Sequence, residues 1–217
     1  MNENQRAAVI LKILRKIYPT TPIPLKHNSK FTLLISVLLS AQCTDLNVNN
    51  VTKNIYPKYN KPKHFIKLGR KKIEKLIKSI GLFRVKAKSI FFLSKQLVEK
   101  HNGKVPRTFE ELEALPGVGH KTASVVMSQG YGYPAFPVDT HIHRLAQRWG
   151  LSNGKNVFQT ERDLKRLFPK KFWNKLHLQI IYYGREYCQA RNCYGLTCKI
   201  CTTCYPARKN LIKTKKA

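Results

Sequence analysis

Apolar residues recur every three or four positions along almost the whole chain, the spacing of helices that bury one face. Val9, Leu11, Ile13, Leu14 and Ile17 predict an amphipathic helix over residues 5–18, broken by Pro19, Pro22 and Pro24. Residues 31–41 are apolar on every side, which predicts a helix buried in a core. The run falls short of the ~20 residues needed to cross a bilayer. Asp45 offers an N-cap for a helix ending near Tyr56 and Pro57. Short helices follow over 62–68 and 71–79, the second stopped by Gly81. Residues 85–101 continue with Ile90, Phe91, Leu93, Leu97 and Val98 as the apolar face. Thr108 and Glu111 stand at capping-box spacing and start a helix over 109–115 that ends at Pro116-Gly117. Another helix begins near His120, and three more are expected over 140–149, 160–167 and 172–187. Neither an alternating strand pattern nor an internal repeat is found. The expectation is an all-α protein of two helical lobes: residues 22–133, and residues 134–217 together with the N-terminal helix 1–21.

Charge changes the picture from a plain helical protein to one with a polyanionic partner. Lys and Arg number 41 against 11 Asp and Glu, a formal net charge of +30. Self-repulsion on that scale opposes compaction, and nucleic acid relieves it best, because neutralising phosphates releases counterions. The basic residues are spread along the chain instead of forming an amphipathic membrane anchor. A solvated lysine surface is the plain alternative for many of them. The first residues carry no secretory-signal pattern, so a soluble cytoplasmic protein, with no membrane partner, is expected.

Candidate chemistry begins at residues 115–123, Leu-Pro-Gly-Val-Gly-His-Lys-Thr-Ala, between two predicted helices. Gly117 and Gly119 let backbone come close to a ligand, and amides opening the second helix favour an anion such as a DNA phosphate. His120 stands at that opening. Lys121 lies in the first turn, where the helix dipole repels a cation. That repulsion, with partial burial and neighbouring basic charge, favours the neutral, nucleophilic amine. The residue alone fits a phosphate contact equally well. Asp139 precedes the helix expected from Thr140, where a carboxylate caps the helix or stabilises positive charge on a reacting sugar.

Five of the six cysteines lie close together: Cys188, Cys193, Cys198, Cys201 and Cys204. In a cytoplasmic protein such thiols bind metal more readily than they form disulfides. The tight spacing of Cys198, Cys201 and Cys204 suits an iron–sulfur cluster or zinc. The preferred ligands are Cys188, Cys198, Cys201 and Cys204, with Cys193 as the substitute. The same loop carries Arg185, Arg191, Lys199, Arg208 and Lys209, a basic face for DNA. Cys43, beside the apolar helix, is expected to be a small buried side chain.

The string 115–123 with its flanking helices resembles the helix-hairpin-helix motif of DNA repair proteins. Together with Val138-Asp139-Thr140-His141 and Ser40-Ala41-Gln42-Cys43-Thr44-Asp45, it resembles the endonuclease III family of bifunctional glycosylases and lyases. The resemblance runs from the helix at Phe31 to Cys204. It implies a two-lobed helical fold binding damaged double-stranded DNA between its lobes, as a monomer. Lys121 would be the nucleophile and Asp139 the second catalytic residue. Gln42, and Leu82 in Ile80-Gly81-Leu82, would enter the duplex, with Gly117, Gly119, His120 and His141 among the DNA contacts. It further implies base excision of oxidised pyrimidines and a [4Fe–4S] cofactor, zinc being the alternative. The family spacing Cys-x6-Cys-x2-Cys-x5-Cys, laid from Cys188, falls on Gly195, Cys198 and Cys204, so the ligand set departs from the pattern. Two other functions stand beside this one. An adenine-specific mismatch glycosylase would lack Lys121, and a non-enzymatic DNA-binding metal module would need neither Lys121 nor Asp139.

Overall fold

A computed structural model describes all residues, Met1–Ala217, and every regular element in it is helical. The chain divides into two compact units, residues 23–133 and residues 1–22 with 134–217.

The unit 23–133 is built around α2 (Lys30–Ser40), which is buried from Phe31 to Leu39. An all-apolar helix has no solvent face to offer, so its neighbours enclose it. α3 (Asp45–Ile55) contributes Val48 and Ile55, and α5 (Phe83–His101) contributes Ile90, Leu93 and Leu97. The cap of α3 is Thr44, whose hydroxyl accepts from Asn47 N, rather than Asp45; the carboxylate of Asp45 stands one place later, still at the positive end of the dipole. The two short helices expected over 62–79 form one kinked element, α4 (Pro62–Leu76), interrupted at Gly69 (φ 71°, ψ 159°). α6 (Phe109–Glu113) and α7 (His120–Val125) make the hairpin, and α7 widens into a π-helical turn over Val126–Gly130.

The second unit packs α1 (Glu3–Ile17), α8 (Thr140–Arg148), α9 (Val157–Leu167), α10 (Trp173–Glu186) and α11 (Lys199–Cys204) on one core. Trp149, Tyr183, Ile10 and Leu14 are fully enclosed there, and the five clustered cysteines belong to the same core. α9 starts at Val157, three residues before the expected 160, because Asn156 caps it through Gln159 N (2.8 Å). α11 was not legible as a helix, since its six residues hold only one large apolar side chain, Ile200.

Candidate active site and metal centre

In the unit 23–133 three sequence-distant segments meet. α2 ends in a turn whose next residue, Gln42, has φ 53°, and α5 is entered through Leu82 at φ 58°. Neither residue is glycine, and left-handed backbone costs roughly 1–2 kcal/mol at each. Both are exposed, Leu82 at 55%. A Cβ built on Gly81 would lie 3.4 Å from the Gln42 carbonyl, and Asn47 Nδ2 donates to Ser79 O (3.1 Å), so the two turns adjoin. Strain at two solvent-facing tips is a signal that sequence alone did not hold, because both residue types are ordinary.

The hairpin turn abuts the same helix. Gly117 has φ 79°, and a Cβ there would meet Ser89 Cβ and Oγ at 2.7 Å and Leu38 at 3.3 Å. Glycine is therefore required by conformation and by space together. Gly117→Ala is expected to destabilise this unit by about 2–3 kcal/mol, read as a lowered urea midpoint. An unchanged midpoint would show that the turn can lift off α5. Gly119 caps α7 with extended backbone and open space around it. His120 stacks on Phe109 (5.6 Å between centroids) and its Nδ1 pairs with Glu113 Oε1 at 2.7 Å. Lys121 is exposed in the first turn of α7, without the partial burial expected from sequence, because the buried face of that helix falls to Ala123 and Ser124.

In the other unit Asp139 caps α8: its Oδ1 accepts from Ile142 N at 2.9 Å, leaving Oδ2 outside the cap. His141, in the first turn of α8, lies against Arg144 Nη2 (3.4 Å). Arg144 and Arg148, four residues apart, reach the cysteine loop. Arg144 donates to the carbonyls of Gly184 and Cys188, and Arg148 to those of Gln189 and Ala190 (2.8 Å each) and towards Cys188 Sγ (3.4 Å). Sequence reasoning missed both arginines. Their signal was an i, i+4 pair on the helix that Asp139 opens.

The sulfurs of Cys188, Cys193, Cys198 and Cys201 all lie within 4.8 Å of one another and are buried. Cys193 thus stands in the group where Cys204 was expected. Cys204, at the end of α11, is buried in the same core but stands outside that group. Meanwhile Tyr194 (φ 47°) and Gly195 (φ 86°) turn the chain back and hold Cys193 inward. Gly195 itself, beside Arg208 Nη1 and Ile212, stands in left-handed backbone that strains any side chain. Arg208 is not presented to DNA either: it donates to Arg148 O (2.8 Å) and Gly195 O and stacks on Tyr205. Hydrogen bonds from Cys188 and Cys201 pull the Cys198 thiol far below its ordinary range, while the same contacts push Cys201 up. Four buried sulfurs this close together are a donor set that a thiophilic metal completes. Cys43 is half-buried rather than enclosed, with its sulfur 3.3 Å from Asn47 Nδ2.

Residues 35–170 match the HhH-GPD superfamily base excision DNA repair protein family. The chain belongs to that family. It is 41% identical over 194 residues to endonuclease III of Bacillus subtilis (strain 168), covering 89% of each chain. It is 43% identical over 191 residues to endonuclease III of Escherichia coli (strain K12), covering 88% of this chain and 90% of the relative. Among solved structures it resembles a trapped endonuclease III–DNA covalent intermediate, with a TM-score of 0.88 at 41% identity over 92% of this chain and 94% of the other. A thermostable thymine-DNA glycosylase shares the fold, with a TM-score of 0.81 at 23% identity over 91% of this chain and 94% of the other. This HhH-GPD member is a base excision repair DNA glycosylase and AP lyase. None of its helices is long and apolar enough to cross a membrane.

Proposed function

We propose that this glycosylase removes oxidised or ring-damaged pyrimidines from duplex DNA and nicks the strand through a Schiff base on Lys121. The observation that carries the reading is the position of Lys121: exposed, in the first turn of α7, directly after the Gly117–Gly119 turn. Hairpin amides hold a phosphate of the damaged strand, and Gln42 and Leu82 fill the gap left when the lesion is flipped out. The neutral amine attacks C1′ of the sugar. A C–N bond to Lys121 forms as the bond to the base breaks, and the base leaves with its electron pair and takes up a proton. The ring opens to an imine, which acidifies C2′. Loss of that proton expels the 3′ phosphate by β-elimination, and water then releases the lysine. The resemblance gives Asp139 the second catalytic role, a carboxylate that would counter positive charge on the sugar and relay a proton, while its Oδ1 keeps the cap on Ile142 N.

The test is incubation with duplex DNA containing thymine glycol or an abasic site, followed by borohydride. A covalent adduct and a nicked strand are expected. Adenine released opposite oxidised guanine without an adduct would replace this substrate class. Binding with neither product would leave a DNA-binding module and overturn the enzyme reading.

We further propose that Cys188, Cys193, Cys198 and Cys201 hold a [4Fe–4S] cluster. An all-thiolate donor set supports it. Bound, the cluster ties the loop from Cys188 to α11 into one piece, with no part in base removal. A single zinc ion is the second reading, favoured by the 3.9 Å Cys188–Cys201 and Cys193–Cys201 separations, near the ~3.8 Å edge of a zinc–thiolate tetrahedron. Iron and sulfide analysis with a visible absorption spectrum decides; a colourless, zinc-loaded protein overturns the cluster. Cys193→Ser is expected to lose the metal and Cys204→Ser to keep it. The reverse result would return Cys204 to the ligand set.

A further inference from the structure

Helix α5 carries, one turn in, a buried cation whose hydrogen-bonding partners are backbone carbonyls. Lys86 is 5% exposed, and its Nζ donates to Leu39 O (2.9 Å) and Ala41 O (2.6 Å). Burial pushes its ammonium down from the ordinary lysine range, against a smaller opposing pull from Cys43. Removing a cation from water is costly, and an apolar side chain would fill the space at less cost. The compensation lies in its two acceptors, at the end of α2, where orphan carbonyls and the negative pole of the helix dipole favour a cation.

Those acceptors are also mechanically special. Ala41 O belongs to the peptide that leads into left-handed Gln42, at a helix end where glycine would ordinarily stand. The helix that carries Lys86 begins at Leu82, the other left-handed tip, whose carbonyl accepts the opening helical bond of α5 from Lys86 N (3.0 Å). The Lys86 side chain therefore ties the end of α2 to the first turn of the helix that leaves Leu82. One turn further along α5, Ser89 meets the hairpin at Gly117.

We propose that Lys86 is a positioning residue that locks the Gln42 and Leu82 turns into one preformed wedge, and so sets how sharply the protein separates gapped duplex from intact duplex. The proposal rests on the reading of Gln42 and Leu82 as gap-filling side chains. A preformed wedge loses little conformational freedom on insertion, whereas two loose turns must be ordered by the DNA itself. Loss of the clasp therefore weakens recognition of the gap and leaves the amine chemistry intact.

The test uses the full-length protein and two duplexes, one intact and one carrying a tetrahydrofuran abasic analogue opposite 2-aminopurine. Wild type is expected to bind the abasic duplex more tightly and to raise 2-aminopurine fluorescence as the wedge enters. Leu82→Ala loses both responses. Lys86→Met, of similar length without donors, binds intact duplex within about twofold of wild type, loses about tenfold or more in discrimination, and gives no fluorescence step. Its KM on damaged duplex rises while kcat holds, and it cleaves an abasic site in single-stranded DNA at the wild-type rate. Lys86→Arg, which keeps a cation and its donors, restores discrimination to within about threefold. If Lys86→Met does not fold, Lys86→Gln, a shorter and uncharged donor, carries the same expectation at smaller size. Normal discrimination in a folded Lys86→Met or Lys86→Gln, with Leu82→Ala impaired, overturns the positioning role alone. Normal discrimination in Leu82→Ala overturns the wedge reading, and the proposal with it.

Discussion

Lys121→Gln is expected to abolish the borohydride-trapped adduct and to lower strand nicking by about a thousandfold or more, while binding to damaged duplex changes by less than about tenfold. The direction follows from what glutamine keeps and lacks. It preserves a polar side chain on the exposed face of α7, so the short helix and its Gly119 cap are undisturbed. It has no basic amine, so no imine forms on it, and without the imine C2′ is not acidified. A phosphate-contacting lysine predicts a different split: weaker binding at every duplex, a shallower salt dependence, and adducts still formed by some other amine. The ratio of adduct to binding separates these two roles in one gel.

Asp139 gives the second large effect, and its two oxygens allow two jobs to be measured apart. Asp139→Asn keeps a side-chain acceptor for Ile142 N, and asparagine caps helices about as well as aspartate, so unfolding is expected within a few tenths of a kcal/mol of wild type. Glycosylase turnover is expected to fall by about 10²–10⁴, the usual worth of a positioned acid–base group. Asp139→Ala loses the cap as well and is expected to unfold about 1 kcal/mol more readily. Should Asp139→Asn retain full turnover on damaged duplex, the carboxylate would be a cap and nothing more.

Much of this was legible in the order of residues. Helical periodicity marked α1, α2, α5 and α8, because an element that must bury one face repeats its apolar residues at the helical interval. The hairpin was legible because a tight turn needs glycine at Gly117 and a cap at Thr108. Asp139 as a cap could be read from its place before Thr140. Features set by side chains far apart in the chain were not legible. Nothing near Cys193 in the sequence ranks it above Cys204; that depends on left-handed turns at Tyr194 and Gly195 and on Arg208 reaching back to Gly195 O. Arg148 reads as one more cation on a helix until its guanidinium is found on the carbonyls of Gln189 and Ala190.

Residue order was enough for an all-helical fold, a glycine turn followed by a lysine, a carboxylate at a helix start, and a thiol-rich loop. Each is a local property, written in composition and spacing over a few residues. Packing set the rest: the adjoining turns of Gln42 and Leu82 in left-handed backbone, the buried Lys86 on the carbonyls of Leu39 and Ala41, and the four sulfurs that meet. Those outcomes depend on packing between segments some 40 residues apart in the unit 23–133, and on arginines closing the loop in the other unit. Sequence spacing carries no trace of such contacts, because their cost and their benefit appear only once the chain has folded.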